Sequence, residues 1–325
     1  MNIETKQQEH LGTVWTLKIP HNFFFLFNEC FTYLEEFEKK YSRFNKESYL
    51  SKINENLESW QTVDKETLEL IQKGLYYQKK TKGHFSIFLK QRLEDLRYDA
   101  EYSFEIKKKI KTSKTKQNKL EKKNNTKNTN NTTIKNTYQK YYKFIHHTII
   151  KKNIVINTKT KQIYLFKTFE IGGFGKGYAV DSLKDILNKH KVPTFFINAG
   201  GDIYAKGTWD VILENPFDTT KAFGKITLKD SAIACSSPNR RQWKGAHHLI
   251  DTQTKNPSHK LSALFVLAKT TSDADAYTTA FITAGLQKAK ILSQTCDTKI
   301  LAITPHQKIY VDPNIDKNSF EIYTT

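Results

Sequence analysis

Three groups of residues in this chain could act on one substrate. The first is E-I-G-G-F-G-K-G, in which Glu170, Lys176 and four glycines fall within eight positions. The second is the imidazole pair His247-His248. The third is Asp275 with Thr279, four residues apart and so stacked on one face if that stretch is helical. Carboxylate and hydroxyl oxygens suit a hard cation. A glycine-rich backbone at a helix start, with a lysine beside it, suits an anion such as phosphate. An imidazole can move a proton near neutral pH. Each group also has a plainer account. The glycines could serve only a tight turn, the histidines could be structural or surface residues, and Asp275 could be a helix-dipole partner. The glycine spacing is neither the P-loop nor the dinucleotide fingerprint.

The elements that must hold these groups are legible around them. Residues 168–202 contain 6 of the chain's 13 glycines, in two clusters at Gly172–Gly177 and Gly200-Gly201. Between the clusters, Val180, Leu183, Ile186 and Leu187 recur at helical steps opposite Asp181, Lys184, Asp185 and Lys189. That pattern predicts a helix over 178–190, stopped by Pro193. A short buried strand over 194–197 then ends at N-A-G-G-D. A first strand is predicted over 11–19 and a helix over 22–41, with Phe24, Phe27, Cys30, Phe31, Leu34 and Phe37 on its apolar face. A second helix is predicted over 64–83. Residues 149–166 read as a hairpin turning at 157–160, and residues 207–216 as a strand. Residues 224–228 and 231–236 read as a further hairpin, and 261–268 as an apolar strand. Asp273 is expected to cap the helix that carries Asp275.

The chain has 325 residues, room for one large domain or two small ones. Its formal charge is +19, of which +12 belongs to residues 106–143 and only +7 to the remainder. That Lys/Asn/Thr-rich segment has almost no apolar residues and reads as a solvated, disordered or loosely ordered insertion. No aromatic interleaving or recognition motif accompanies the basic charge, so no nucleic-acid partner is expected. Cys30, Cys235 and Cys296 are odd in number and far apart; they read as small buried hydrophobes with no disulfide or zinc spacing. The first residues are polar, so the visible sequence points to the cytoplasm. Export or membrane anchoring would follow if a signal segment had been removed.

Taken as an ordered pair, E-I-G-G-F-G-K-G-Y-A-V-D and N-A-G-G-D closely resemble the ApbE family, the FAD:protein FMN transferases. Further blocks match the family's patterns: L-G-T-V-W from Leu11, S-R-F from Ser42, G-H-F-S from Gly83, H-H-L-I-D from His247, and D-A-D-A-Y-T-T-A-F from Asp273. The resemblance runs from Leu11 to about Leu292, interrupted by the insertion. It implies an α+β fold: two lobes of mainly antiparallel sheet with helices around a central FAD cleft. It implies one catalytic domain over 1–325, with the insertion at about 106–143.

The resemblance also implies roles. Leu11, Phe44, His84, Phe85, Ser86, Glu170, Lys176 and Ile250 would contact FAD. Gly173, through its carbonyl, with Asp275 and Thr279 would hold Mg²⁺, and His248 and Asp275 would act in catalysis. The chain departs from the family pattern at Leu11, where the family usually has methionine, at Ser86 and Glu170, where it has aspartate, and at Lys255, where it has a turn glycine. Asn256 is expected to supply the positive φ that this glycine would have given. The implied reaction moves FMN from FAD to a threonine or serine hydroxyl of an acceptor flavoprotein, such as a membrane redox-complex subunit with a flavinylation motif. AMP is released. Two alternatives stay open: an FAD pyrophosphatase using water, and a non-catalytic flavin-binding or carrier protein.

Overall fold

In the computed structural model, β1 (Ile3–His10) and β2 (Thr13–Pro20) form an antiparallel hairpin that closes through Leu11 and Gly12. Both turn residues have positive φ, 54° and 69°, the conformation that a two-residue hairpin turn with the right twist demands. Leu11 therefore lies in the turn and not in the strand predicted to start there. β1 has no counterpart in the sequence reading, because its mostly polar side chains leave no alternation to detect. The structure describes residues 2–96, 98, 148–240, 242–243 and 246–323. The expected insertion at 106–143 lies outside the described residues.

After a 3-10 turn, helix α1 (Leu26–Tyr41) buries Phe27, Cys30, Phe31, Leu34 and Phe37 as its spacing predicts. Phe24 lies before the helix and is exposed, off the predicted face. The short helix α2 (Tyr49–Glu55) is capped by Ser48, whose hydroxyl accepts from the Ser51 amide. It ends beside β3 (Trp60–Thr62). Helix α3 (Lys65–Lys80) is capped by Asp64 and stops at Gly83, which has a φ of 84°. The short α4 (Lys90–Asp95) follows.

β4 (Thr148–Lys151), β5 (Ile154–Asn157) and β6 (Gln162–Leu165) are three strands where one hairpin was predicted. The turn at 157–160 is present; the extra break falls at Lys152-Asn153. These strands and β3 form a four-stranded sheet in the order β3-β6-β5-β4. Helix α5 (Gly175–Lys189) starts three residues before the predicted Tyr178.

β7 (Phe195–Ala199), β8 (Asp202–Asn215) and β9 (Asp218–Ser236) build the centre of the large sheet. β9 is one long bent strand and not a hairpin at 229–230. The chain stays paired with β8 through a register shift where Gly207 donates to Asp230 at 2.8 Å, both residues having positive φ. The two-residue strands β10 (Gln242–Trp243) and β11 (Ala246–His247) pair with each other. β12 (Ala263–Ala268), helix α6 (Thr271–Ala284), helix α7 (Leu286–Thr295), β13 (Lys299–Ile303), β14 (Ile309–Val311) and β15 (Phe320–Ile322) complete the described chain.

The large sheet has nine strands in the order β1-β2-β7-β8-β9-β12-β13-β14, with β15 beside β9; every pairing is antiparallel. Period-two alternation divides its strands between two cores. Leu264 and Val266 face the helices with Phe195 and Ile197, whereas Ala263 and Phe265 join Phe196 and Leu228 on the other face. Ile154, Ile156, Ile163 and Leu165 of the small sheet enter the same helix-filled core. This is the expected α+β arrangement of two antiparallel sheets with helices between. No helix among the described residues is long and apolar enough to cross a membrane.

Candidate active site

Asp275 is placed by the crossing of two helices. A Cβ at Gly177 would fall 2.3 Å from the Thr271 carbonyl oxygen and 2.9 Å from the Asp275 Cβ, so only glycine allows α5 and α6 to approach this closely. Asp181 then binds the start of α6, accepting from the amides of Thr271 and Ser272, each at 2.9 Å, and from the Ser272 hydroxyl at 2.6 Å. A carboxylate at a helix start is favoured by the dipole and by the unpaired amides there. The N-cap is Thr270, which accepts from the Asp273 amide. Asp273 is not the cap; its carboxylate accepts from the Tyr77 hydroxyl at 2.9 Å.

The buried Asp275 carboxylate accepts from the Gly177 amide at 3.0 Å. The Gly175 amide donates to Ile171 O at 2.7 Å. The anion at this helix start is therefore supplied by the chain itself, and the expected phosphate site on free amides of α5 is not what these two groups offer. One helical turn after Asp275, the Thr279 hydroxyl donates to the Gly173 carbonyl at 3.3 Å. The glycine loop and a helix about a hundred residues later thus bring together a carboxylate, a hydroxyl and a carbonyl, the hard oxygen donors that small divalent cations take. Among the described residues no three His, Cys, Asp or Glu side chains cluster as metal ligands, so such a cation would rest on these mixed donors.

Lys176 contacts Asp202 and stands 3.7 Å from Asp275 Oδ2. Asp202 follows the Gly200-Gly201 turn, whose φ angles are 63° and 105°. A Cβ at Gly200 would lie 2.1 Å from the Thr13 hydroxyl, so this turn packs tightly against the β1–β2 hairpin.

Glu170 is buried and fixed on both sides. Its amide donates to Ile87 O at 2.9 Å, and the preceding residue is pinned by a reciprocal pair with Asn54 at 2.8 Å each. One carboxylate oxygen accepts from the Gly172 amide at 2.5 Å. Burial raises its pKa above the usual carboxylate range, against the opposing pull of the Arg43 charge and the Gly172 bond. Phe85 lies beneath Gly173 against Tyr77 and Phe174; its amide is held by the Thr81 hydroxyl at 3.0 Å. The His84 Nδ1 is buried without a hydrogen-bond partner among the described residues, and burial lowers the pKa of the ring. Ser86 turns its hydroxyl to the Phe88 amide at 3.2 Å.

The histidine pair separates cleanly. His247 is 1% exposed; its Nδ1 accepts from the Leu249 amide and its ring meets the His259 ring edge-on at 4.9 Å. Burial first, and the neighbouring His259 second, push its pKa down to about 4. His248 faces the cavity, its ring 6.3 Å from that of Tyr98. The segment that carries it is tied down by Thr252 Oγ1 donating to Gly83 O at 2.6 Å and by Lys260 on Asp251 at 2.8 Å. Burial would raise the pKa of Asp251, but Lys260 and the Gln253 amide outweigh it and hold it low. The missing turn glycine is replaced by Lys255 itself, with a φ of 61°, and not by Asn256.

A cavity of about 300 Å³ is lined by His84, Phe85, Ser86, Glu170, Gly173, Lys176, His248, Ile250, Asp275 and Thr279. A second cavity of similar volume adjoins it, sharing Gly12, Arg43, Gly172 and Lys176, and takes in Leu11 and Phe44. Every residue to which the resemblance gives a flavin, metal or catalytic role borders one of the two, whereas His247 and Asp273 border neither. Arg43, which lines both with its guanidinium between the Phe44 and Tyr98 rings at 4.4 and 4.2 Å, had no sequence signal of its own. Asp202 had one, as the acid that closes N-A-G-G-D. All three cysteines are free thiols; only Cys30 is fully buried, and Cys235 lines the first cavity.

The model of the ApbE family matches residues 11–303 of this chain. A FAD:protein FMN transferase of Buchnera aphidicola (Schizaphis graminum) is 26% identical over 311 residues, covering 90% of this chain and 84% of the relative. A FAD:protein FMN transferase of Klebsiella pneumoniae is 25% identical over 168 residues; that match covers 49% of this chain and only about half, 53%, of the relative. Among solved structures, the ApbE protein of Thermotoga maritima superposes with a TM-score of 0.77 at 20% identity, covering 96% of this chain and 97% of the other. The flavin transferase ApbE of Vibrio cholerae gives 0.71 at 18% identity, covering 96% and 97%. With the family model matching nearly the whole length and the same fold in both solved structures, the chain belongs to the ApbE family.

Proposed function

We propose that this chain transfers FMN from FAD to a serine or threonine hydroxyl of an acceptor flavoprotein, for which a membrane redox-complex subunit is the candidate. The acceptor oxygen bonds to the phosphorus next to riboflavin, the diphosphate bond breaks, and AMP leaves. The hydroxyl proton passes to His248, the one histidine of the pair that faces the cavity. Such phosphoryl transfers depend chiefly on positioning and charge stabilisation. Leu11 and Phe44 offer apolar surface to the flavin, and Glu170 offers an acceptor fixed beside it. We read the chain as one catalytic unit that carries the 106–143 segment as an insertion.

The observation that carries this reading is the meeting of Asp275, Thr279 and the Gly173 carbonyl beside Lys176. These donors fit Mg²⁺, which prefers oxygen ligands and commonly takes one or two carboxylates with substrate phosphates. Bound there, Mg²⁺ would offset charge on the diphosphate and on the departing AMP. Lys176 adds a second positive charge to the same floor. The test is purified protein with FAD, Mg²⁺ and a candidate acceptor. Acceptor mass should rise by one FMN moiety, with one AMP released for each. AMP release without any gain in acceptor mass would assign the site to hydrolysis by water, and neither product would leave only flavin binding.

A further inference from the structure

Three charges meet on the cavity floor, and the proposed reaction uses only two of them. Lys176 Nζ contacts Asp202 Oδ2 and stands 3.7 Å from Asp275 Oδ2. The two carboxylate side chains are 3% and 5% exposed. They come from different parts of the fold. Asp275 rides on α6, whereas Asp202 is the first residue of β8, paired with Ala199 across the Gly200-Gly201 turn. That turn is held by the Asn198 side chain, which accepts from the Gly201 amide at 2.8 Å. Asp202 is thus fixed by the large sheet, and the flexible member of the trio is the half-buried lysine between them.

An ammonium that settled on Asp275 would occupy the charge that a metal cation needs and would repel that cation. Asp202 supplies a fixed counter-charge on the far side of the ammonium. With both acids and the lysine the trio carries a net −1, which favours a divalent cation; without Asp202 the net charge is zero. We propose that Asp202 is a positioning residue for metal binding: it holds the Lys176 ammonium off Asp275 and so keeps Asp275 available to the cation. Asp202 itself is not a ligand. This rests on the reading of Asp275 as the metal carboxylate.

The test is Mn²⁺ binding to the full chain without FAD, followed by electron paramagnetic resonance, so that no catalytic step enters the readout. Asp202→Asn should weaken Mn²⁺ binding roughly 10- to 100-fold, as expected for like charges brought within a few ångströms in a partly buried site. Lys176→Gln should bind Mn²⁺ as well as the unaltered chain, or more tightly. The double variant should match Lys176→Gln, because the effect of Asp202 acts through the lysine; a merely structural ion pair would not give that coupling. Unchanged binding in Asp202→Asn, or a loss that persists in full in the Lys176→Gln background, would overturn the proposal. If Asp202→Asn folds poorly, judged by its melting curve, Lys176→Gln decides alone: weaker Mn²⁺ binding in it contradicts the proposal. Asp275→Ala should abolish Mn²⁺ binding. If it does not, the metal reading itself fails and this inference falls with it, a pattern distinct from failure in the Asp202 and Lys176 variants alone.

Discussion

The wall of the cavity that carries Asp275 and the wall that carries His248 are held in different ways. Asp275 sits on a fourteen-residue helix whose contact with α5 leaves no room for a Cβ at Gly177, and its carboxylate is tied to a backbone amide. His248 sits on an irregular segment after a two-residue strand, and side chains from elsewhere hold that segment: Thr252 on Gly83, Lys260 on Asp251, and Arg92 on the Lys255 carbonyl at 2.6 Å. A backbone-locked wall suits groups that must keep one geometry around a cation. On the proposed function, a wall held by side chains suits a proton acceptor beside which a second protein places its hydroxyl. The contrast predicts that changes on the first wall cost stability and cation binding together, whereas changes on the second cost rate with the fold intact.

The largest effect is expected at His248. As a proton acceptor it should contribute roughly 10²- to 10⁴-fold to the rate, so His248→Ala should lower flavin transfer by that much with little change in FAD affinity. His247→Ala should instead lower the melting temperature, since it removes a ring packed in the interior. Loss of rate in His247→Ala with a silent His248→Ala would reverse the assignment. Next comes Gly177→Ala. Its methyl meets the Thr271 backbone, which cannot swing away, so α5 and α6 must part. A cost of about 1–3 kcal/mol is expected, read as a lower denaturation midpoint, accompanied by weaker cation binding. A midpoint unchanged from the parent would show that the helix contact is not tight.

A smaller, pH-dependent effect follows from His247. Its pKa in the fold is pushed to about 4, below the value near 6.5 of an exposed imidazole. Between those values the unfolded chain binds the extra proton and the folded chain does not, so stability falls as pH drops from about 6.5 towards 4. His247→Gln should flatten that part of the melting-temperature profile; an identical slope would refute the assignment. The smallest effect is expected from the Lys-rich segment. Replacing residues 106–143 with a short Gly/Ser linker should leave FAD affinity and AMP release nearly unchanged, and a large loss of either would implicate the lysines in recruiting a partner.

The strongly periodic and glycine-marked parts of this chain were legible in advance. Helices α1 and α5 follow their apolar spacing, α3 lies within its expected span of 64–83, and the two glycine clusters mark the α5–α6 crossing and the β7–β8 turn. What was not legible depended on tertiary partners. β1 is polar along most of its length and becomes a strand only because β2 pairs with it. The bend at Asp230 looks like a turn in sequence, yet the pairing with β8 continues through it. Lys255 takes a left-handed conformation where asparagine next to it looked better suited, because the hydrogen bonds of Asp251 fix which residue must turn. Asp273 is not the expected cap because the helix begins at Thr271, which makes Thr270 the N-cap and places Asp273 in the first turn, where its carboxylate accepts from Tyr77. The residues of the candidate site were found through ordered motifs. Their meeting, across about a hundred residues of chain, was expected from the family resemblance and not from any local pattern, and Arg43 went unseen because nothing nearby in sequence distinguishes it.

On the proposed function, Asp275, Thr279 and the Gly173 carbonyl form a cation site on which the chemistry of the cavity depends. Isothermal titration of Mg²⁺ in the presence of FAD, on the unaltered chain and on Asp275→Ala, tests it most directly. Saturable Mg²⁺ binding is expected in the first and none in the second, with the melting curve of Asp275→Ala still cooperative. Mg²⁺ binding of equal affinity in both proteins would contradict it.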